Sequence, residues 1–323
     1  MIVGVTGATG YIGYSICVEL LKQNYEVIAL IYDEKPEIAE LPIKKIKGNI
    51  LDSSTLIPFV EQCEVIIHAA GIIKLCYGFD QQLYDINVKG TFNLLEMAQK
   101  ANVRRVLYLS SIHVYKQHPY HEELNEKREF VFQNSVYYDQ TKKEGHELCI
   151  KLAKEGKLET VVLCPTSVIG PPDFLPSKAG KGILDIANGK VPAVVKGGFN
   201  FVDVRDVAQA VVSAISLGRS GETYILGGEY ATIKQMADLV LEAKGKKKRL
   251  RTVPIALAYL GVPLVKMYAK LTKTEPIYDK LYLDILNDGN TQISSEKSKK
   301  ELNFNPRPLK TTIFDAINWF MDN

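Results

Sequence analysis

Short apolar runs alternate with stretches of helical periodicity through the first half of the chain. The runs at 2–6, 27–31, 65–67, 106–109 and 160–163, with a weaker one at 43–46, are dominated by Val, Ile and Leu. Between them, 11–23, 53–62, 81–101 and 135–154 place apolar residues every three or four positions, as in Ile12, Ile16, Leu20 and Leu21. Ser53 or Ser54 is the expected N-cap of the second of these helices. In 81–101 the apolar set is Leu83, Ile86, Val88, Phe92, Leu95 and Met97. Strands that are apolar on both faces and separated by helices belong in a parallel sheet covered on both sides, with right-handed crossovers. The expected class is α/β, a doubly wound parallel sheet with a smaller C-terminal unit.

Composition narrows the remaining possibilities. At 323 residues the chain has room for about two structural units and a large core. Hydrophobic residues at 46% and charged residues at 24% exclude a disordered or low-complexity chain. Lys+Arg exceeds Asp+Glu by only three, which lacks the basic face of a nucleic-acid binder. The five cysteines are odd in number and form no C-x-x-C pair, which reads as reduced thiols in a cytoplasmic protein without a metal site. No apolar run reaches the ~20 residues that span a bilayer, and no signal peptide is expected at Met1.

Beyond Pro165 the alternation weakens. Glycine and proline cluster between 170 and 182, which predicts loops and a mobile segment. Helical periodicity returns at 204–217, 233–243 and 309–319. The expected division puts 1–169 and 200–227 in a dinucleotide-binding domain, and 170–199 and 228–323 in a substrate-binding unit.

The first strand runs into the turn Thr6-Gly-Ala-Thr-Gly-Tyr-Ile-Gly13 and then a helix. Gly7, Gly10 and Gly13 let the backbone turn tightly, and the helix N-terminus offers free N–H groups to a pyrophosphate. The spacing is G-x-x-G-x-x-G rather than G-x-G-x-x-G, but its strand–turn–helix context points to a dinucleotide.

Tyr138 and Lys142 stand four apart on a predicted helix and therefore share a face. An ammonium near a phenol stabilises the phenolate and lowers its pKa, so the pair can exchange a hydroxyl proton. Tyr137 has Thr141 at the equivalent place and lacks this partner. Ser110 and Ser111 follow the strand at 106–109, at the carboxyl edge where parallel sheets bind ligands.

These motifs, in this order, resemble the extended short-chain dehydrogenase/reductases, the NAD-dependent epimerase/dehydratase superfamily. The resemblance also takes in His68-Ala-Ala-Gly71, Asn87-Val-Lys-Gly-Thr91, Leu109 to Tyr115, Pro165-Thr-Ser-Val168-Ile-Gly-Pro171 and Phe201-Val-Asp-Val-Arg-Asp-Val207. The last segment and the tail 293–309 are most similar to the dihydroflavonol reductase and 3β-hydroxysteroid dehydrogenase branch. The resemblance implies a Rossmann fold and an NAD(P)-dependent oxidoreductase. It makes Tyr138 the general acid/base, Lys142 its modulator and a ribose ligand, Ser111 the substrate-oxygen partner, and Asn87 the holder of a relay water. It assigns the cofactor to Gly7, Thr9, Gly10, Tyr11, Ile12 and Gly13, to Tyr32, Asn49 and Ile50, to His68, Ala69, Ala70 and Gly71, to Tyr138 and Lys142, and to Pro165 and Val168. It also implies a homodimer through the helices at 81–101 and 135–154.

The chain departs from the family where the second strand ends. Ile31 replaces the Asp that binds the ribose in NAD enzymes, and Tyr32 replaces the Arg common in NADP enzymes. Lys35 is within reach of a 2′-phosphate, so the cofactor expectation is NADP or NAD, leaning to NADP. His113 reads as a solvated loop histidine. His118 and His121 fit no zinc template. The basic run 244–251 and the apolar stretch 253–271 read as a solvated charge run followed by a lid over the substrate pocket, without membrane contact.

The expected reaction is hydride transfer between a nicotinamide and a carbonyl or secondary alcohol of a small lipophilic substrate of ketone, steroid or flavanonol type. The alternative is a nucleotide-sugar epimerase or dehydratase, for which Arg249, Arg251 and Arg307 are the available diphosphate ligands. A non-catalytic dinucleotide sensor has no need of the Tyr138–Lys142 pair.

Overall fold

The computed structural model describes residues 1–322 apart from 133, 134, 248, 273–277 and 288. The first half follows the expected alternation. It runs β1 (Ile2–Thr6), α1 (Tyr11–Lys22), β2 (Glu26–Ile31), α2 (Pro36–Ala39), β3 (Lys44–Lys47), α3 (Ser53–Val60) and β4 (Val65–His68). One long helix follows, in which a π-helical segment (Tyr84–Lys89) joins α4 (Gln81–Leu83) to α5 (Gly90–Lys100). Then come β5 (Arg105–Leu109), α6 (Tyr137–Lys154) and β6 (Glu159–Pro165).

The second half adds β7 (Ser167–Ile169), α7 (Lys178–Ala187), β8 (Ala193–Val195), β9 (Gly198–Asp203), α8 (Val204–Leu217), β10 (Thr223–Leu226), β11 (Glu229–Thr232) and α9 (Ile233–Ala243). It closes with β12 (Arg251–Val253), α10 (Ile255–Thr272), α11 (Lys280–Asn287), α12 (Glu296–Leu302) and α13 (Leu309–Asp322).

Seven parallel strands form the main sheet in the order β10-β6-β5-β4-β1-β2-β3. Strand order reverses between β1 and β4, which opens the crevice where doubly wound sheets bind ligands. Alternate side chains divide between two cores. Val3, Val5, Ala29 and Ile67 pack with Ile16 and Leu20 of α1 and Val207 and Val211 of α8. Ile28, Ile66, Val106 and Val162 pack with Leu56 and Phe59 of α3, Leu94 and Leu95 of α5, and Cys149 of α6. Leu302 and Phe304 return to the first of these cores from the far end of the chain.

A separate core joins α7, α9 and α13 around Ile183, Met236, Val240 and Ile313. Beside it lie a three-stranded sheet, β11-β9-β7, and the pair β12-β8. A partly buried charge network ties α8 to the tail. Arg307 donates to Asp206 at 2.7 Å, and Arg205 donates to both Asp203 and Asp315 at 2.7 Å.

Several expectations need correction. The N-cap of α3 is Asp52, whose Oδ1 accepts the Ser54 amide at 3.0 Å; neither serine has that role. Phe92, expected in the apolar set, is 51% exposed. The 170–182 segment is not all loop, because α7 starts inside it. Ser177 caps this helix by accepting the Gly180 amide at 3.0 Å, and Asp173 in turn accepts the Ser177 hydroxyl at 2.9 Å. A Cβ on Gly180 would lie 2.0 Å from Asp173, so that glycine serves close packing rather than mobility. Among the described residues, no helix is long and apolar enough to cross a membrane.

Candidate active site

The glycine turn lies at the carboxyl end of β1, beside the end of β4. Each glycine has its own reason to be there. Gly7 has φ +71°, and a Cβ on it would meet Ala69 and Ala70 backbone atoms at 2.6–2.7 Å. A Cβ on Gly13 would lie 2.1 Å from the Gly7 carbonyl oxygen. Gly10 caps α1 without a side-chain hydrogen bond, and a Cβ there would meet only the Gly7 oxygen, at 3.2 Å. The turn is therefore closed underneath and open above Gly10. That shape admits a phosphate to the uncapped amides of the first turn of α1, which Tyr11, Ile12 and Gly13 provide.

Thr9, Gly10, Tyr11 and Lys35 wall a recess with Pro172, Asp173 and Phe174. The Lys35 ammonium donates to the Thr9 carbonyl at 3.2 Å. The Tyr11 hydroxyl donates to the Gly170 carbonyl at 2.5 Å; burial, then Asp173 and Asp203, raises its pKa well above the usual phenol value. Ile31 is buried at the end of β2, and Tyr32 is 67% exposed. Asn49 turns its carboxamide oxygen to the Leu51 amide at 2.9 Å, and Ile50 fits against Gly90. Pro165 ends β6, and Val168 lies half-buried in β7.

His68 is fully buried. Its ring bridges Thr6 (Nδ1 to Oγ1, 2.7 Å) and Thr91 (Nε2 to Oγ1, 3.0 Å), and burial holds its pKa down to about 3. The imidazole is thus neutral and turned into the core. Gly71 faces Asn87 and Lys142: a Cβ there would lie 3.2 Å from Asn87 Oδ1 and 3.9 Å from Lys142 Nζ. Asn87, in the π-helical segment, accepts the Ile72 amide at 2.9 Å. It donates to the Ile72 carbonyl at 3.0 Å and to Thr141 at 3.1 Å. Its carboxamide clamps the loop after β4 onto α6.

Ser111, Tyr138 and Lys142 come together. Tyr138 and Lys142 are both buried on α6. Ser111 caps the 3-10 turn Ile112–Val114 by accepting the His113 amide at 3.2 Å, and it lies near enough to Tyr138 to lower the pKa of its hydroxyl. Ser110 points elsewhere, with its hydroxyl 3.2 Å from His146 Nδ1. The Lys142 ammonium donates to the Leu109 carbonyl at 2.6 Å. Burial brings its pKa down to about 8, against smaller opposing effects of Cys164 and Cys149.

The phenol departs from expectation. Burial raises the Tyr138 pKa, Ser111 lowers it, and Asp139 and Cys164 add to the rise. Desolvation of a phenolate outweighs its stabilisation here, so Tyr138 is a neutral phenol, a proton donor at rest.

A cavity of ≈ 510 Å³ is lined by Ile112 and Asp139, the chain neighbours of Ser111 and Tyr138. Ile112, Tyr115, Val131, Phe132, Phe199 and Ile285 supply most of its apolar wall. His113 lines it too, half-buried, with Nδ1 3.9 Å from the Asp139 carboxylate. This corrects its reading as a solvated loop residue. Burial raises the Asp139 carboxyl pKa to about 6, with His113 opposing. The sequence reading also missed Thr166 and Asn200, hydrogen-bonded at 2.9 Å in the same wall. Both stand beside matched motifs, Thr166 after Pro165 and Asn200 before Phe201, and that adjacency was the available signal. No described residue of α10 lines the cavity, so the expected lid is not that helix; α11 contributes Asp284 and Ile285 instead. Among the described residues no three His, Cys, Asp or Glu side chains gather as a metal site.

A family model, NAD dependent epimerase/dehydratase, matches residues 3–227, from β1 through β10 and every element of the main sheet. The chain belongs to this family. Its relatives in the family include the sterol demethylase protein B of Methylococcus capsulatus, 31% identical over 324 residues and covering 98% of each chain. A 4-hydroxy-2-methyl-3-oxo-4-farnesyl-3,4-dihydroquinoline-1-oxide ketoreductase of Stigmatella aurantiaca is 25% identical over 97% of this chain and 94% of its own. Among solved structures, gox2253 superposes with a TM-score of 0.83 at 29% identity, covering 99% of this chain and 98% of that one. As a member of this family, the chain is an NAD(P)-dependent oxidoreductase of the extended short-chain dehydrogenase/reductase type. The open cradle at Gly10 fits the dinucleotide that the family uses.

Proposed function

We propose that this enzyme reduces a carbonyl of a small, mostly apolar molecule to a secondary alcohol, and runs the reverse oxidation. The observation that carries this reading is the composition of the cavity lined by Ile112 and Asp139, the chain neighbours of Ser111 and Tyr138. Aromatic and aliphatic side chains share its wall with mostly uncharged polar ones, and among the described residues no arginine lines it. Lys116, the one lysine lining it among the described residues, is paired with Glu129 and lies over the Phe132 ring. Arg307, a diphosphate ligand under the nucleotide-sugar alternative, is held by Asp206 instead. A nucleotide-sugar diphosphate would meet little positive charge here, whereas an apolar ketone would be well accommodated.

In this reading a bound nicotinamide supplies or accepts the hydride at the substrate carbon. Tyr138 gives its hydroxyl proton to the carbonyl oxygen during reduction and takes it back in oxidation. The neutral phenol that burial favours is the form reduction requires. Ser111 hydrogen-bonds the same oxygen, and Lys142 places a positive charge near the phenolate that forms. Asn87 holds the loop at 71–72 against α6 and so fixes the spacing of the two helices. The segments 170–199 and 228–323 set specificity, and Asp284, Ile285, Asn290 and Ile293 bring the second of them into the cavity wall.

The cofactor in this reading is NADP, because Ile31 leaves no carboxylate at the end of β2 to repel a 2′-phosphate and the Lys35 ammonium stands beside the glycine turn. Fluorescence titration with NADH and NADPH tests it, and tighter binding of NADH overturns it. The dimer would form through the helices at 81–100 and 137–154, where Tyr84 and Phe92 are exposed. Size-exclusion at several concentrations checks this, and a monomer throughout rejects it. The reaction itself is tested by a NAD(P)H-oxidation screen over ketosteroids, flavanonols, simple aldehydes and nucleotide sugars. Epimerisation or dehydration consumes no NAD(P)H overall, so nucleotide sugars are followed by product analysis, and conversion of these alone would reject the carbonyl-reductase reading.

A further inference from the structure

Helix α10 carries its bulky apolar residues outward. Ala258, Val262 and Ala269 face the protein, where Val195, Tyr259, Tyr278 and Leu283 pack around the first two. Leu257, Leu260, Leu264, Met267 and Leu271 are 56–76% exposed. Their spacing of three and four residues keeps all five within about 80° of the helix circumference, over about 21 Å of its length. A helix that serves only its own fold would bury this stripe and expose the small residues.

The surroundings of the stripe are basic. Lys266 and Lys270 are exposed along one border, and α10 contains no Asp or Glu. Lys247, Arg249 and Arg251, in the segment that leads into the helix, are also exposed. None of these five cations forms an ion pair among the described residues. Two carboxylates on or next to α11 are engaged: Asp284 accepts the Tyr259 hydroxyl at 2.6 Å, and Asp279 accepts the Tyr282 amide at 2.8 Å.

We propose that α10 and the basic segment before it dock this enzyme, without spanning it, onto a lipid surface bearing anionic headgroups. The five apolar side chains enter the acyl boundary, and the flanking cations meet the headgroups. A second copy of the chain is a poorer occupant, because pairing two such faces brings like-charged borders together. The docked face also connects to the cavity. Tyr259 of α10 and Tyr77 of the cavity wall both donate to Asp284, so the helix on the lipid is one hydrogen bond from the cavity rim. A lipophilic substrate held in the same lipid would enter there.

The test is flotation of the full-length protein with vesicles of phosphatidylcholine alone or with roughly one third phosphatidylglycerol. The wild type is expected to float with the anionic vesicles at low salt and to be released by ~0.5 M salt, where the charges are screened. A Leu260→Glu/Leu264→Glu variant is expected to bind about tenfold less while still binding the dinucleotide, which reports an intact fold. A Lys266→Glu/Lys270→Glu variant leaves the apolar stripe in place and is expected to lose preference for the anionic vesicles. No flotation of the wild type at low salt overturns the proposal, as does unchanged binding by the leucine variant. Equal binding to both vesicle types overturns the choice of an anionic surface. Wild-type dimers that become monomers in the leucine variant assign the face to a second copy and overturn the proposal.

Discussion

The Lys142 ammonium is held 2.6 Å from the main-chain carbonyl oxygen of Leu109. The ring of Tyr108 lies against the same ammonium, 4.4 Å from nitrogen to centroid. The last turn of a buried strand thus grips a cation on the neighbouring helix. This contact keeps a lysine charged at a depth where charge is disfavoured, and the grip is incomplete, because its pKa still falls to about 8.

The first prediction concerns that lysine. Its folded pKa lies below the ordinary value of 10.5, so the ammonium is half deprotonated by about pH 8 and is lost progressively above it. The kcat/KM for the dinucleotide should therefore bend downward near pH 8, falling about tenfold per pH unit above it. A profile that stays flat to pH 10 would show that the charge is dispensable.

Tyr138→Phe removes the hydroxyl proton that the proposed reaction places on the carbonyl oxygen. It should lower kcat by about 10²–10⁴ while leaving dinucleotide affinity unchanged. Ser111→Ala should lower kcat less and keep the same pH profile. Full turnover by the phenylalanine variant would remove Tyr138 from the mechanism.

Two buried histidines should make the fold sensitive to acid. Burial depresses both His68 and His146 to about 3. Between pH 6.5 and 3 the unfolded chain takes up protons that the folded chain refuses, so stability is lost as pH falls, by about 1.4 kcal/mol per pH unit for each. Denaturant titration should place this loss at about 4 kcal/mol between pH 7 and 5 for the pair. His146→Asn should roughly halve that slope, and an unaltered slope would contradict the assignment.

The glycines separate by what surrounds them. Gly13→Ala puts a methyl 2.1 Å from the Gly7 oxygen and should abolish dinucleotide binding or folding. Gly182→Ala lies in α7 with open space around it and should stabilise the protein by about 1 kcal/mol, the ordinary helix preference for alanine. Thermal melts of the two variants check both signs.

Much of the dinucleotide-binding half was legible because its signals are local. A buried parallel strand is a continuous apolar run, a crossover helix repeats every three or four residues, and a turn that must hold its backbone close needs glycine. The helices 204–217 and 233–243 were legible at their observed limits for the same reason. The short strands β7, β8, β11 and β12 carry too few residues to show a period. The start of α7 was hidden because Gly180 reads as a breaker until Asp173 is seen against it.

What the sequence determined by itself is the order of strands and helices, the phosphate-facing turn, and the residues that can exchange a proton. What only the tertiary structure decided is which way those residues lean. The spacing of Tyr138 and Lys142 predicted a lowered phenol pKa, yet the depth at which α6 lies raises it, because burial penalises a phenolate more than its partners repay. His113 became a cavity residue through Asp139, which α6 carries to the cavity wall. The apolar stretch at 253–271 became an outward stripe because its small residues, rather than its large ones, meet α11 and β8. Burial is a property of the assembled layers, and no local pattern of residues specifies it.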